Sequence, residues 1–281
     1  MTTNQRPGFI KKQLKHWLFA GIIGLMTLQN SQAIEVQTLP LANTRAVVVT
    51  VDIKKDNLQL FLKDNRGNPY QSFAAINQQL LKQQSVQRQS ASQQLIFAMN
   101  AGMFHPNYLP VGLYVEQGRE LYPLNTATGT GNFFMQPNGV FLLKTADKYP
   151  SGADSVQVVS TTDFQSNPPK HIWLATQSGP LLVYRGKINS QFNPASSSRF
   201  IRNAVGVKQS TKAVFVISEQ PVSFYELADF FKNTLKIDNA LYLDGTISSL
   251  YLPALNRHDR QRFLGPIIGV TQPVARNSSL K

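Results

Sequence analysis

The sequence predicts an α+β fold, a mixed, mainly antiparallel sheet core with two or three helices in a single domain. Three observations predict it. Short apolar runs recur between residues 45 and 271, separated by clusters of Gly, Pro, Asn and Asp, which is the pattern of strands joined by turns. Only a few segments place apolar residues at helical spacing. Strands and helices do not alternate strictly, and no internal repeat or linker divides the chain after residue 33.

Residues 1–33 stand outside that domain. Arg6, Lys11, Lys12 and Lys15 make a basic n-region, Trp17 to Leu28 an apolar h-region, and Ser31-Gln32-Ala33 a small-x-small cleavage site, together the signature of a signal peptide. The apolar run is short for a transmembrane span, though an uncleaved anchor would share the pattern. The expectation is a signal peptide over 1–33 and a folded domain over 34–281, located in the periplasm or secreted, with membrane contact only through the export signal. The chain has no cysteine, which excludes a lipid-modified cysteine and suits an exported product that uses no disulfides.

Residues 1–33 hold four of the 28 Lys and Arg and none of the 15 Asp and Glu, so the remaining 248 residues carry a net charge of +9. That length supports a proper core without staples. The positive balance suits an anionic envelope surface or an anionic small substrate. Nucleic acid is not the expected partner, because export removes the chain from it and the basic residues are thinly spread rather than clustered.

Taken in order, Arg45–Ile53 and Asn57–Lys63 read as a β-hairpin with Lys54-Lys55-Asp56 near its turn. Ser72–Gln84 places Phe73, Ile76, Leu80 and Leu81 on one helical face, and a polar Gln/Ser tract follows. Leu95–Met99 is a short buried strand running into Asn100-Ala101-Gly102. Val111–Glu116 and Glu120–Leu124 form a hairpin across Gln117-Gly118-Arg119. The Gly/Thr-rich stretch 125–132 is no phosphate loop: no Lys-Ser/Thr follows it, and Phe133–Gln136 reads as a strand. Strands are expected at Val140–Lys144, Ser155–Ser160, His171–Thr176 and Leu181–Tyr184, with a break at Thr176–Pro180 and a hairpin tip at Arg185-Gly186-Lys187. Ala204–Val207 pairs with Ala213–Ser218. Ser223–Leu235 is the clearest helix, with Ser223 as N-cap, Glu226 as capping-box partner, and Phe224, Leu227, Phe231 and Leu235 as its stripe. Ala240–Leu243 is a buried strand that stops at Asp244-Gly245, and Gly265–Thr271 is the last strand.

Four strand ends couple an apolar run to small and polar residues: Asn100–Phe104, Gln177–Pro180, Arg199–Asn203 and Asp244–Ser249. Loops at strand ends that open on one cleft are where reactive groups collect. Taken alone, Asp244-Gly245 is equally a turn capped by its own carboxylate. Arg199 and Arg202 also suit solvated or paired positions at a strand start, and Glu219 before Gln220-Pro221 suits a turn.

The conjunction carries more. Asn-Ala-Gly-Met-Phe at 100–104, Gln-Ser-Gly-Pro-Leu-Leu-Val at 177–183, Ser-Arg-Phe-Ile-Arg-Asn-Ala-Val-Gly-Val at 198–207 and Leu-Asp-Gly-Thr-Ile-Ser-Ser at 243–249 resemble, in order and character, the phosphodiester glycosidase family (the NAGPA domain), in its bacterial exported branch. The resemblance spans roughly residues 95–272. It implies hydrolysis of a sugar 1-phosphodiester of the N-acetylglucosamine type at the anomeric carbon, with a carbohydrate phosphodiester as substrate and no cofactor.

On that resemblance Asp244 is the catalytic carboxylate, acting as general base or stabilising positive charge on the ring, and Glu219 is the best second carboxylate. Arg199 and Arg202 would hold the phosphodiester through bidentate charge-assisted hydrogen bonds. Asn100, Gln177, Ser178, Ser248 and Ser249 would bind sugar hydroxyls, an acetamido group or phosphate oxygens. Gly102, Gly179 and Gly245 would let the backbone come close. Where the family often carries a run of glycines after its aspartate, this chain has Thr246-Ile247, a stiffer loop. The four histidines, at 16, 105, 171 and 258, show no pair at ligand spacing, so no metal site is expected of the zinc kind. A calcium or magnesium ion held by Asp244 and carbonyls stays open. Ser178 lies outside any Gly-x-Ser-x-Gly elbow. The alternative reading is a non-catalytic envelope glycan-binding protein that uses the same cleft, and a structural role is the third.

Overall fold

A computed structural model describes residues 1–2, 34–86, 92–147, 152–260 and 262–274. The signal-peptide reading over 1–33 lies, apart from residues 1 and 2, outside the described residues.

Alternation of apolar and polar side chains builds the strands. The first are β1 (Glu35–Leu41), β2 (Thr44–Asp52), β3 (Asn57–Phe61), β4 (Gln93–Asn100), β5 (Tyr114–Glu116) and β6 (Arg119–Tyr122). Next come β7 (Gly139–Thr145), β8 (Ala153–Ser160), β9 (Ile172–Ser178), β10 (Leu181–Tyr184) and β11 (Lys187–Ile188). The last are β12 (Asn203–Lys208), β13 (Lys212–Ser218), β14 (Ala240–Asp244), β15 (Leu250–Leu252), β16 (Arg257–His258) and β17 (Ile267–Pro273). Three helices join them: α1 (Phe73–Val86), α2 (Thr161–Ser166) and α3 (Phe224–Asp229), the last continued by a π-helical turn, Phe230–Thr234.

The strands make three sheets, in the orders β1-β2-β13-β12-β14-β10-β11, β16-β15-β4-β17-β3 and β6-β5-β9-β7-β8. Every strand pairing among the described residues is antiparallel. The fold is therefore α+β, as the sequence predicts, with its sheets wholly antiparallel rather than mixed.

Period-two alternation decides what each face buries. Val47, Val49 and Val51 of β2, Phe215 and Ile217 of β13, and Leu241 and Leu243 of β14 meet Phe97 and Met99 of β4 and Phe141 and Leu143 of β7 in one core between the sheets. On the far face of the seven-stranded sheet, Val214, Val216, Ala240 and Tyr242 pack under Leu227, Phe230 and Phe231 of α3 and its π turn. Phe73 and Ile76 of α1 cover Leu95, Ala98 and Ile267 on the outer face of the second sheet. The stripes of α1 and α3 thus each cover one sheet, except that Leu81, expected on the apolar face of α1, is 50 % exposed.

The structure corrects three local expectations and adds one helix. β2 and β3 do not form a hairpin: β2 is already hydrogen-bonded on both edges, by β1 and β13, while β3 pairs with β17. The turn at Lys54–Asp56 instead passes the chain between sheets, and both apolar faces meet in the shared core. Phe133–Gln136 is not a strand, since Asn132–Phe134 forms a 3-10 turn with Phe133 buried. β9 runs on through Ser178 instead of breaking at Thr176. Finally, α2 begins directly after β8, capped by Ser160, whose Oγ accepts from the Asp163 amide at 3.0 Å.

Candidate active site

Four strand ends meet at one rim of the molecule through side-chain hydrogen bonds. Asn100, the last residue of β4, and Asn203, the first of β12, are both fully buried. Asn203 Nδ2 donates to the Asn100 carbonyl at 3.0 Å and to its Oδ1 at 3.1 Å, and Asn100 Nδ2 donates to Asn203 Oδ1 at 3.2 Å. This pair latches the second sheet to the first.

The latch also seats the loop after β14. Asn203 Oδ1 accepts from the Asp244 amide at 3.1 Å and from Ser248 Oγ at 3.2 Å, while Asn100 Oδ1 accepts from the Ser249 amide at 2.9 Å. Ser248 Oγ also contacts the Asp244 carbonyl at 2.8 Å, and Ser249 Oγ donates to the Ile247 carbonyl at 2.9 Å. Two of the three serines expected to bind substrate, Ser248 and Ser249, therefore fold the loop on itself. Ser178, at the end of β9, ties in through Oγ to the Leu243 carbonyl at 3.0 Å.

Asp244 stands at the head of this loop, with Oδ1 accepting from the amides of Gly245 and Thr246. Burial raises its pKa above the ordinary aspartate value, against the pull of the Thr246, Gly245 and Ile247 amides. A carboxylate so placed is partly desolvated and oriented by backbone donors, the kind of setting in which a carboxyl group is tuned for proton transfer.

Gly245 has a spatial requirement. A Cβ there would lie 2.0 Å from the Tyr242 hydroxyl and 3.5 Å from Arg202 Nη1. Gly102, with φ at +140°, stands similarly over Thr176 Oγ1, 2.9 Å from where its Cβ would be. Both glycines are thus required by close approach, one of them also by its backbone conformation.

The remaining expected site residues serve the scaffold. Gln177 Oε1 accepts from the amides of Leu113 and Asn125, both at 2.9 Å, and its Nε2 reaches the Asn125 carbonyl and Thr161 Oγ1. It braces the loop over Gly112 rather than facing a ligand. Gly179 abuts Asn138 and the Phe133 carbonyl. Arg199 is not a phosphate ligand here: its Nη1 and Nη2 both bond Glu226 at 2.8 Å, the same carboxylate that accepts from the Ser223 amide to cap α3. Burial would raise Glu226, but the Ser223 amide and Arg199 outweigh it and hold the carboxyl below its ordinary value. Glu219 lies past the end of β13, two strands from β14, exposed, with its amide donating to the Arg45 carbonyl. No hydrogen bond among the described residues joins its side chain to the Asp244 loop.

Arg202 is 1 % exposed and packs under α3. Its Nε donates to the Val222 carbonyl at 2.8 Å, Nη1 to the Tyr242 hydroxyl at 3.1 Å and Nη2 to the Ser198 carbonyl at 3.2 Å, with the guanidinium 3.8 Å from the Phe224 ring centroid. Burial lowers its pKa, and burial likewise lifts the Tyr242 phenol well above the ordinary tyrosine range. Among the described residues it has no carboxylate partner. It is thus a buried cation directly behind Gly245 rather than an open clamp.

Residue reasoning missed Asn203 and Tyr242 as site residues. Asn203 directly follows Arg202 at the start of an apolar strand, and Tyr242 shares a strand face with Asp244, the two signals by which they were findable. Among the described residues no cluster of three or more His, Asp or Glu side chains forms a metal site.

The family profile described as phosphodiester glycosidase matches residues 93–271. The chain belongs to the phosphodiester glycosidase family. It is 36 % identical over 203 residues to the uncharacterized protein YigE of Escherichia coli K12, covering 72 % of each chain. In fold it is similar to the zebrafish N-acetylglucosamine-1-phosphodiester alpha-N-acetylglucosaminidase catalytic domain, solved auto-inhibited by its pro-peptide. There the TM-score is 0.56 at 14 % identity, over 86 % of this chain and 84 % of that one. All four strand ends of the rim fall inside the matched residues.

Proposed function

We propose that this member of the family is an exported hydrolase that cleaves a sugar 1-phosphodiester of the N-acetylglucosamine type at the anomeric carbon, with Asp244 as its working carboxylate. The observation that carries this reading is the setting of Asp244: buried enough to raise its pKa, aimed by loop amides, and seated by a side-chain latch between two sheets. Family membership supports the reaction class, and the name of the zebrafish neighbour supports the choice of sugar.

The chemistry needs little more than one such group. A phosphomonoester leaving group has a second pKa of about 6, so it departs without strong protonation. The oxygen of a water attacks the anomeric carbon, the carbon–oxygen bond to phosphate breaks, and the water proton passes to Asp244. Free sugar and a phosphomonoester result. The uncompensated positive charge of Arg202 behind Gly245 adds a field that favours an anionic group at the loop.

The test is release of free sugar from an N-acetylglucosamine 1-phosphodiester by the purified protein. Asp244→Asn should cut the rate by about 100- to 10,000-fold with the fold retained, the usual range for losing a general acid or base. Wild-type activity in that variant would remove Asp244 from the reaction. Tight binding with the substrate recovered intact would instead identify a glycan-binding protein.

A further inference from the structure

Two loops spring from the rung of the sheet that carries Asn100. One follows β4. The other enters β17, whose Ile267 pairs with Asn100, and the Ala101 amide donates to the Pro266 carbonyl at 2.8 Å. Both carry aromatic rings outward. Phe104 stacks on Tyr108 with centroids 5.7 Å apart and planes at 27°, and Tyr108 meets Phe263 edge-on at 6.3 Å. Phe263 is 66 % exposed, while Phe104 and Tyr108 are half-buried.

The arrangement is built rather than incidental. Tyr108 holds φ at +66°, a left-handed conformation costly for a bulky residue. Its amide donates to the His105 carbonyl at 2.7 Å, and the His105 amide to the Leu109 carbonyl at 2.9 Å. Phe104 in turn fits only because Gly265 lacks a side chain, since a Cβ there would come within 2.4 Å of the ring. Strain and a missing Cβ together hold this cluster of rings at the surface, with Phe263 left largely exposed.

Charge on the same loop selects the ligand. Arg260 and Arg262 are exposed beside Phe263, and among the described residues neither has an ion-pair partner; Arg260 bonds only His258 Nδ1, at 3.1 Å through Nε. The neighbouring Asp259 is taken by Arg257 at 3.0 Å. Aromatic faces bind the apolar face of a sugar ring, and guanidinium groups bind phosphodiester oxygens.

We propose that Phe104, Tyr108 and Phe263, with Arg260 and Arg262, form a platform for a further sugar unit of an anionic glycan. The substrate is then a saccharide chain carrying more than one phosphodiester link rather than a single-sugar diester. This deepens the proposed function and rests on it for the bond that is cleaved, but not for binding.

The experiment compares a single-sugar N-acetylglucosamine 1-phosphodiester with a phosphodiester-linked trimer, in wild type and in Phe263→Ala, an exposed site whose loss leaves the core intact. KM for the trimer should rise about tenfold, the scale of one lost stacking contact, while kcat and KM for the single-sugar diester stay unchanged. No change for the trimer, or an equal change for both substrates, overturns the platform. Trimer binding to Asp244→Asn, by calorimetry with and without Phe263→Ala, separates the two claims. A tenfold weakening upholds the platform even where turnover is absent, and unchanged affinity, or a trimer that binds no better than one sugar, overturns it even where turnover is present.

Discussion

At the scale of single residues, Arg202 changes meaning most between sequence and structure. Its place in Ser-Arg-Phe-Ile-Arg-Asn reads as a phosphate ligand, yet three of its nitrogens bond Val222, Tyr242 and Ser198 beneath α3. Removing it would leave the buried Tyr242 phenol without its donor, take one of two donors from the Val222 carbonyl and open a cavity beneath α3, recognised sources of large destabilisation. Arg202→Ala is therefore expected to lower the unfolding free energy by roughly 2–4 kcal/mol, read as a lower denaturant midpoint at unchanged m-value. Full stability with turnover alone abolished would return the guanidinium to the substrate. Asn203 illustrates the opposite error. Its partner Asn100 lies 103 positions away, a pairing that no local pattern announces, and only the fold reveals that this amide seats the Asp244 loop.

At the scale of elements, alternation and caps were legible where local physics decides them. The capping box of Ser223 and Glu226 is present in both halves, and β12 and β13 pair as expected across their turn. Misreadings came where a tertiary choice intervened. β1 went unseen because its exposed residues include Glu35 and Gln37 at the sheet edge, and the β2–β3 hairpin was ruled out by β2 having both edges occupied. The turn between those strands leaves a mark on pH dependence. Asp56 is buried and accepts from the Asp52 amide at 2.8 Å, while its Oδ1 has no partner. Burial, chiefly, pushes its pKa up from 3.8 to about 6. Because the folded value lies above the unfolded one, the native state binds the proton more tightly, and this stabilisation is fully present below pH 3.8 and lost as pH rises through about 6. Asp56→Asn should flatten that loss and be more stable than wild type at pH 7.5, by on the order of 1–2 kcal/mol. Thermal melts from pH 4 to 8 would check it, and parallel curves for the two proteins would refute it.

At the scale of the whole molecule, three antiparallel sheets share one core, and the ends of β4, β9, β12 and β14 come out at one rim. The sequence motifs located those ends, because apolar strands stopping at small polar residues are a local signal. Which motif residues are free to meet a ligand and which brace the scaffold is decided by packing across sheets: Gln177 is buried against the 113–125 loop, and the exposed Arg199 is engaged by Glu226. The central claim is that this rim directs water to a sugar carbon rather than to phosphorus. Hydrolysis of an N-acetylglucosamine 1-phosphodiester in ¹⁸O-labelled water tests it most directly. The label is expected on the anomeric hydroxyl of the released sugar and none in the phosphomonoester; label in the phosphate would contradict attack at carbon.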